Sequence, residues 1–158
     1  LKNQLFLDPE AVDIAYGRLQ ALGFDMDRVW FEAGSIAYMD RYLDVDIALD
    51  TYPYPGGGTT CDALYMGVPV ISRYGERYGS RFGLSILQSA GLGELAVDSV
   101  PAYIERAVSL AADQELLELL HRQLRSMLKA SRLMDGEAYV REMEMQYKKI
   151  WQQYQRVR

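Results

Sequence analysis

The chain has 158 residues, 49% of them hydrophobic and 25% charged, with a formal net charge of −5. That length suits one domain with a core of its own, and the absence of any basic tract beyond scattered cations near the end argues against nucleic acid as the main partner. One cysteine, Cys61, excludes an internal disulfide and a thiolate metal cluster, and no apolar run reaches the roughly 18 residues of a membrane span.

Asp8-Pro9-Glu10 reads as a helix start, with Val12, Ala15, Leu19 and Leu22 at helical spacing and Gly23 as the left-handed stop. Arg28 to Phe31 is expected to form a short buried strand, and Ser35 to cap a second helix through Tyr42. Asp44 to Asp50 is the next expected strand, followed by a glycine-rich turn and a helix from about Thr59 to Met66. Val68 to Ser72 reads as a strand, Ser80 as the cap of a helix to Ala90, and Leu92 to Val97 as the last short strand. Three helices complete the chain: Pro101 to Ala112, Gln114 to Ser131, and Gly136 to the end. The last carries an apolar stripe of Tyr139, Met143, Tyr147, Ile150, Trp151 and Tyr154, expected to be core.

Short apolar strands alternating with helices make βαβ units: an α/β fold with a Rossmann-like parallel sheet, flanking helices and a C-terminal helical segment. The expected organisation is a single lobe over 1–158, with an α/β core over 1–112 and closing helices over 113–158. The chain begins Leu1-Lys2-Asn3 with no initiator Met and no signal-peptide pattern. It is expected to be a fragment of a larger, cytoplasmic protein.

Parallel sheets bind ligands beyond the carboxyl ends of their strands. The run Pro55-Gly56-Gly57-Gly58-Thr59-Thr60 sits at such an end. Glycine permits positive φ and lets an outside group touch the main chain, and the following helix offers unpaired N–H groups and the positive end of its dipole. Together these make a phosphate site, with hydroxyls from Thr59 and Thr60 at its mouth. Asp62 would repel phosphate but could accept from ribose hydroxyls. The plain alternative is that the glycines only turn the chain and Thr59 only caps the helix. The run fits neither G-x-G-x-x-G nor the P-loop, so neither an ATPase nor a simple dehydrogenase is indicated.

The blocks Leu49-Asp50-Thr51, Gly56 to Leu64, Gly67-Val68-Pro69-Val70, Gly75-Glu76 and Ser80-Arg81, in that order and spacing, resemble the C-terminal catalytic lobe of the O-linked N-acetylglucosamine transferase family. Its bacterial tetratricopeptide-containing and SPINDLY-like relatives share the pattern, and Leu133, Tyr139, Met143-Glu144, Tyr147 and Trp151 resemble that lobe's closing helices. The resemblance implies a two-lobed GT-B enzyme that transfers a sugar from a UDP donor, first of all UDP-N-acetylglucosamine, to protein Ser or Thr hydroxyls. It implies inversion at the anomeric carbon, with no metal or other cofactor. The expected partners are the donor, a protein acceptor, the N-terminal lobe and tetratricopeptide repeats of the parent chain.

By resemblance, Gly57, Gly58 and Thr59 match a His-Thr-Thr segment that holds the diphosphate, and Thr60 supplies a further hydroxyl one place later. Asp62 matches the ribose-binding acid, and Ala33 an alanine whose backbone reads uracil. Tyr38 stands where a histidine stacks on the base, Arg41 matches an arginine near the base, and Ser35 replaces a lysine. A second family lysine, which neutralises the leaving diphosphate, belongs upstream of Leu1, so the catalytic groups are expected outside this chain and the fragment alone should be weakly active.

Other residues admit two readings. Asp50 is a helix or loop cap, or a ligand; Arg81 is a structural tie or a ligand, and Tyr52 and Tyr54 are loop packing or contacts to sugar or acceptor. Cys61 reads as a small buried helix residue with no histidine nearby to activate it, and His121, the only histidine, as solvated or packed. A non-catalytic nucleotide-binding or protein-interaction module that kept the fold is the alternative function.

Overall fold

The Asp8 carboxylate accepts the Glu10 amide at 3.0 Å and launches α1, Pro9–Ala21. Gly23, at φ +82°, turns the chain out of it. The computed structural model describes residues 1–157 and forms two compact units, Leu1–Arg41 and the rest from Tyr42 onward.

The first unit departs from expectation after α1. Met26–Arg28 is a turn of 3₁₀ helix rather than the start of a strand. The extended pairing falls later and is minimal, a single parallel bridge between Lys2 and Glu32. Its bonds run from the Leu1 amine to Trp30 O, from Glu32 N to Leu1 O and from Asn3 N to Glu32 O, at 2.7, 2.8 and 3.0 Å. The segment is not buried as expected either, because Trp30 is 73% exposed. Ser35 caps no α-helix. A 3₁₀ helix, Tyr38–Asp44, stands where that helix was expected.

The second unit holds the sheet. β1 (Ala48–Leu49), β2 (Val70–Arg73) and β3 (Ala96–Val97) are all parallel and lie in that order. Ala48 pairs with Val70 and Leu49 with Ile71; Ser72 pairs with Ala96 and Arg73 with Val97. Of the expected strand Asp44 to Asp50, only Ala48–Leu49 joins the ladder, since the 3₁₀ helix occupies Asp44. The crossovers are α2, Gly58–Tyr65, and α3, Phe82–Ser89, which touch each other and β2. α3 begins without a side-chain cap. Ser80 is buried and its hydroxyl donates to Arg77 O at 2.8 Å, so it closes the preceding turn rather than capping the helix. After β3, Ser99 caps α4, Val100–Ala112, which packs on β2 and β3.

α5, Gln114–Ala130, lies against α2 and α4 and buries Leu124 and Leu128 into a core with Leu64, Val68, Ile71 and Leu87. Gly67, at φ +88°, ends α2 where the chain runs tight against α5: a Cβ there would stand 2.8 Å from the His121 carbonyl. His121 is thus a packing residue, with its Nε2 buried. The last helix, α6, runs Gly136–Val157. Its stripe is not core in this chain. Tyr139, Tyr147, Ile150, Trp151 and Tyr154 are all exposed, between 49% and 64%.

The outcome is the expected α/β lobe, a small parallel sheet flanked by helices with a helical C-terminal segment. No described helix is long and apolar enough to cross a membrane.

Candidate nucleotide-binding site

The carboxyl end of β1 passes straight into Asp50, and this residue organises the glycine loop. Asp50 Oδ1 accepts the amides of Thr51 at 2.9 Å and Gly56 at 2.6 Å; Oδ2 accepts the Ser72 hydroxyl, from β2, at 2.6 Å. The Asp50 carbonyl accepts the Tyr103 hydroxyl, from α4, at 2.9 Å. Burial and the neighbouring Asp50 charge push the Tyr103 phenol up to about 12. Thr51 Oγ1 donates to Tyr54 O at 2.6 Å and tightens the loop from inside. Asp50 is therefore the loop cap of the two roles open to it.

The three glycines differ. At Gly56 a Cβ would meet Thr59 Oγ1 at 2.5 Å and Thr60 Oγ1 at 2.6 Å, so this glycine is required by the chain's own packing. At Gly57 and Gly58 a Cβ would meet nothing within 4 Å. None of the three has positive φ. The loop does not use the positive φ that glycine permits: what these positions provide is closeness at Gly56 and open approach at Gly57 and Gly58.

Gly57 is the N-cap of α2 and offers no side-chain cap; its carbonyl accepts the Cys61 amide at 3.1 Å. The first amides of a helix lack intrahelical acceptors and carry the positive end of the dipole. Thr59 is exposed there, whereas Thr60 is 3% exposed, so the Thr59 hydroxyl is the one at the surface. The Tyr42 hydroxyl donates to Thr59 O at 3.3 Å, and a cavity of about 140 Å³ lies beside it, lined by Tyr42, Asp50, Thr59, Thr60 and β1. Asp62, half-buried, lies one turn further along α2. Cys61 is half-buried rather than buried as expected; partial burial and the adjacent Asp62 charge raise its thiol, which suits an inert helix residue rather than a nucleophile.

Ala33, Ser35, Tyr38 and Arg41 all fall in the first unit. Ala33 is half-buried; Tyr38, 41% exposed, opens the 3₁₀ helix. Glu32 gathers two cations, Lys2 and Arg41, the latter through Nε at 3.1 Å. Hydrogen bonds from Lys2 and Arg41 hold the Glu32 carboxyl below its ordinary value. Lys2 also donates to Ser35 Oγ at 3.3 Å, so a cation stands beside the serine although none is encoded at that position. Gly34 packs closely on Gln4, since a Cβ there would stand 2.6 Å from Gln4 Cγ and push that exposed side chain aside.

A family model described as Glycosyl transferase family 41 matches residues 15–143. The chain belongs to this family. The family 41 chain is 40% identical over 117 residues to a probable UDP-N-acetylglucosamine–peptide N-acetylglucosaminyltransferase SPINDLY of Oryza sativa, covering 74% of the chain and 13% of that protein. The SPINDLY protein of Solanum lycopersicum is 36% identical over 152 residues, 96% of the chain and 15% of the relative. Among solved structures, an O-GlcNAc transferase mutant of Thermobaculum terrenum superposes with a TM-score of 0.82 at 32% identity, over 92% of this chain and 28% of that one. The family 41 chain thus has a GT-B-like Rossmann lobe and spans less than a sixth of the length of these curated relatives.

Of the residues around the loop, Asp50 was visible in the sequence, but Ser72, Gly83 and Tyr103, which complete its setting, were not. A Cβ at Gly83 would strike Ser72 Oγ and stand 2.8 Å from Asp50 Oδ2. Ser72 follows the apolar run Val68 to Ile71, and that small hydroxyl was the one available signal.

Tyr52 lies under the Arg73 guanidinium, 4.0 Å from its ring centroid, while Tyr54 is 76% exposed. Arg81 Nη1 donates to Gly75 O at 3.4 Å, the structural tie of its two readings.

Proposed function

We propose that this chain is the nucleotide-sugar-binding lobe of a glycosyltransferase that uses a UDP-sugar, UDP-N-acetylglucosamine first, for inverting transfer to protein Ser or Thr hydroxyls. The observation that carries the reading is the Asp50-braced loop ending in the uncapped start of α2, with open approach at Gly57 and Gly58. In sugar transfer the nucleoside diphosphate leaves with the bond electrons, so charge builds on its phosphates. Amides already aimed at that charge stabilise it without reorganising.

In this reading the amides of Gly57 and Gly58, with Thr59 and Thr60, hold the diphosphate, and Asp62 takes the ribose hydroxyls. Ala33, Tyr38, Arg41 and Ser35 serve the base and ribose. Transfer itself requires groups from a partner N-terminal lobe, and the fragment alone turns over weakly. A protein acceptor, tetratricopeptide repeats in the parent chain and a cytoplasmic setting belong to the same reading, as does a single lobe with closing helices over 113–158.

Calorimetric titration with UDP, GDP and ADP tests it. UDP is expected to bind in the micromolar to millimolar range, better than the other two, and Asp62→Ala to lose most of that affinity. Equal indifference to all three nucleotides would instead favour a module that kept the fold without the chemistry.

A further inference from the structure

Arg73 is the last residue of β2, the middle strand of the sheet, and so sits at the carboxyl edge where parallel sheets take their ligands. Its guanidinium lies 4.0 Å over the ring of Tyr52, which belongs to the same loop as the glycines. The Arg73 Nε is buried and donates to nothing, and among the described residues Arg73 joins no ion pair. The carboxylate of Asp50, at the end of the adjoining strand, is already taken by Ser72, Thr51 and Gly56. Asp50 also bridges the end of β2 to the glycine loop, because Ser72, the neighbour of Arg73, and the Gly56 amide share its two oxygens.

A buried guanidinium nitrogen without an acceptor is costly, and such groups in native structures ordinarily meet a ligand, a water or an ion. Stacking on an aromatic face fixes the plane of the guanidinium and leaves its edge to donate. That rigid fork matches a phosphate, two oxygens to two N–H groups. We propose that Arg73, held by Tyr52, is an anion-binding residue that donates to a phosphate oxygen of a nucleoside diphosphate at the carboxyl edge of the sheet. The assignment rests on reading the glycine loop as a diphosphate site. It supplies a positive charge that the loop's own glycines and threonines lack.

The test titrates wild type and Arg73→Met with UDP, uridine and inorganic pyrophosphate by calorimetry. Arg73→Met is expected to weaken UDP and pyrophosphate by about tenfold or more, the worth of one charge-assisted hydrogen bond, and to leave uridine unchanged. Undiminished UDP and pyrophosphate affinity in Arg73→Met would overturn the proposal, as would an equal loss of uridine, which would mark a merely structural role. If wild type binds pyrophosphate but not UDP, and Arg73→Met loses pyrophosphate, the nucleotide reading falls while the anion site stands. A second measurement needs no stable variant: the ¹⁵Nε–H resonance of Arg73 in the wild-type chain should move and saturate with pyrophosphate. A resonance that does not respond overturns the assignment.

Discussion

The Asp50 carboxylate grips the Gly56 amide at 2.6 Å, and with this one bond the end of a strand fixes the start of the glycine loop. Its other oxygen holds Ser72 on the middle strand at the same distance. The loop that leads into α2 is therefore an extension of the sheet rather than a loose connection. Removing the carboxylate strands a buried hydroxyl and two amides together. Asp50→Ala is expected to cost about 2–4 kcal/mol, from hydrogen bonds to a charged group and donors left without acceptors. Urea denaturation measures it, and Asp50→Asn, which keeps part of the network, should fall between.

The loop glycines separate folding from binding. Gly56→Ala places a methyl within 2.6 Å of both Thr59 Oγ1 and Thr60 Oγ1 and is expected to destabilise by about 1–3 kcal/mol, as overpacking does. At Gly58 a Cβ meets nothing within 4 Å, so Gly58→Val should leave the fold nearly intact while abolishing nucleotide binding, because the branched side chain fills the approach to the helix amides. Thermal melts and UDP titrations of both variants check the contrast. Full UDP affinity in folded Gly58→Val would remove the loop from the site.

Gly83 carries the same wiring from the other side. Its Cβ would displace the Ser72 hydroxyl from Asp50, so Gly83→Ala is expected to lower stability by about 1–3 kcal/mol although it adds a good helix former within α3. The double variant with Ser72→Ala removes the nearest obstacle but leaves Ser72 Cβ and Asp50 Oδ2 each at 2.8 Å, so it should recover only part of the loss in chemical denaturation.

Tyr103 predicts an alkaline limb. Its phenol is pushed up to about 12, first by burial and then by Asp50, so between its ordinary value near 10 and that point the folded chain keeps a proton that the unfolded chain has released. Stability is then full below pH 10 and falls as pH rises towards 12. Tyr103→Phe should lose about 1 kcal/mol at neutral pH with its bond to Asp50 O, and should flatten the alkaline slope. Denaturation midpoints across pH 8 to 12 measure both.

Glu32 gives the opposite sign. Lys2 and Arg41 depress its carboxyl, so its contribution is present above the ordinary carboxylate value and disappears as pH falls through the depressed one. The group is exposed and screened, and the effect should be small. Glu32→Gln is expected to lose slightly at neutral pH and to match wild type in strong acid, read from the same denaturation series.

Much of this fold was legible because its signals are local. Asp8 before Pro9 and Gly23 after α1 each act within a few residues. The parallel sheet was legible because short apolar segments alternate with helices, and the segment that leads into the middle strand, Val68 to Ile71, is apolar throughout. What escaped were shapes set by distant partners. The Arg28 to Phe31 strand failed because the pairing seen among the described residues, with Leu1 to Asn3, places the bridge at Glu32 and leaves Trp30 exposed. The α6 stripe reads as core by periodicity, yet periodicity cannot say what would cover it. At the site, the glycine run was visible but the division of labour within it was not. The need for Gly56 comes from hydroxyls three and four residues on, and the grip on the loop comes from Ser72 and Tyr103, 22 and 53 residues from Asp50.

The central claim is that the main chain at the start of α2 holds a diphosphate, and a crystal of this chain grown or soaked with UDP tests it most directly. The account predicts diphosphate density within hydrogen-bond reach of the Gly57, Gly58 and Thr59 amides. Diphosphate density bound elsewhere on the chain, with those amides facing solvent, would contradict it.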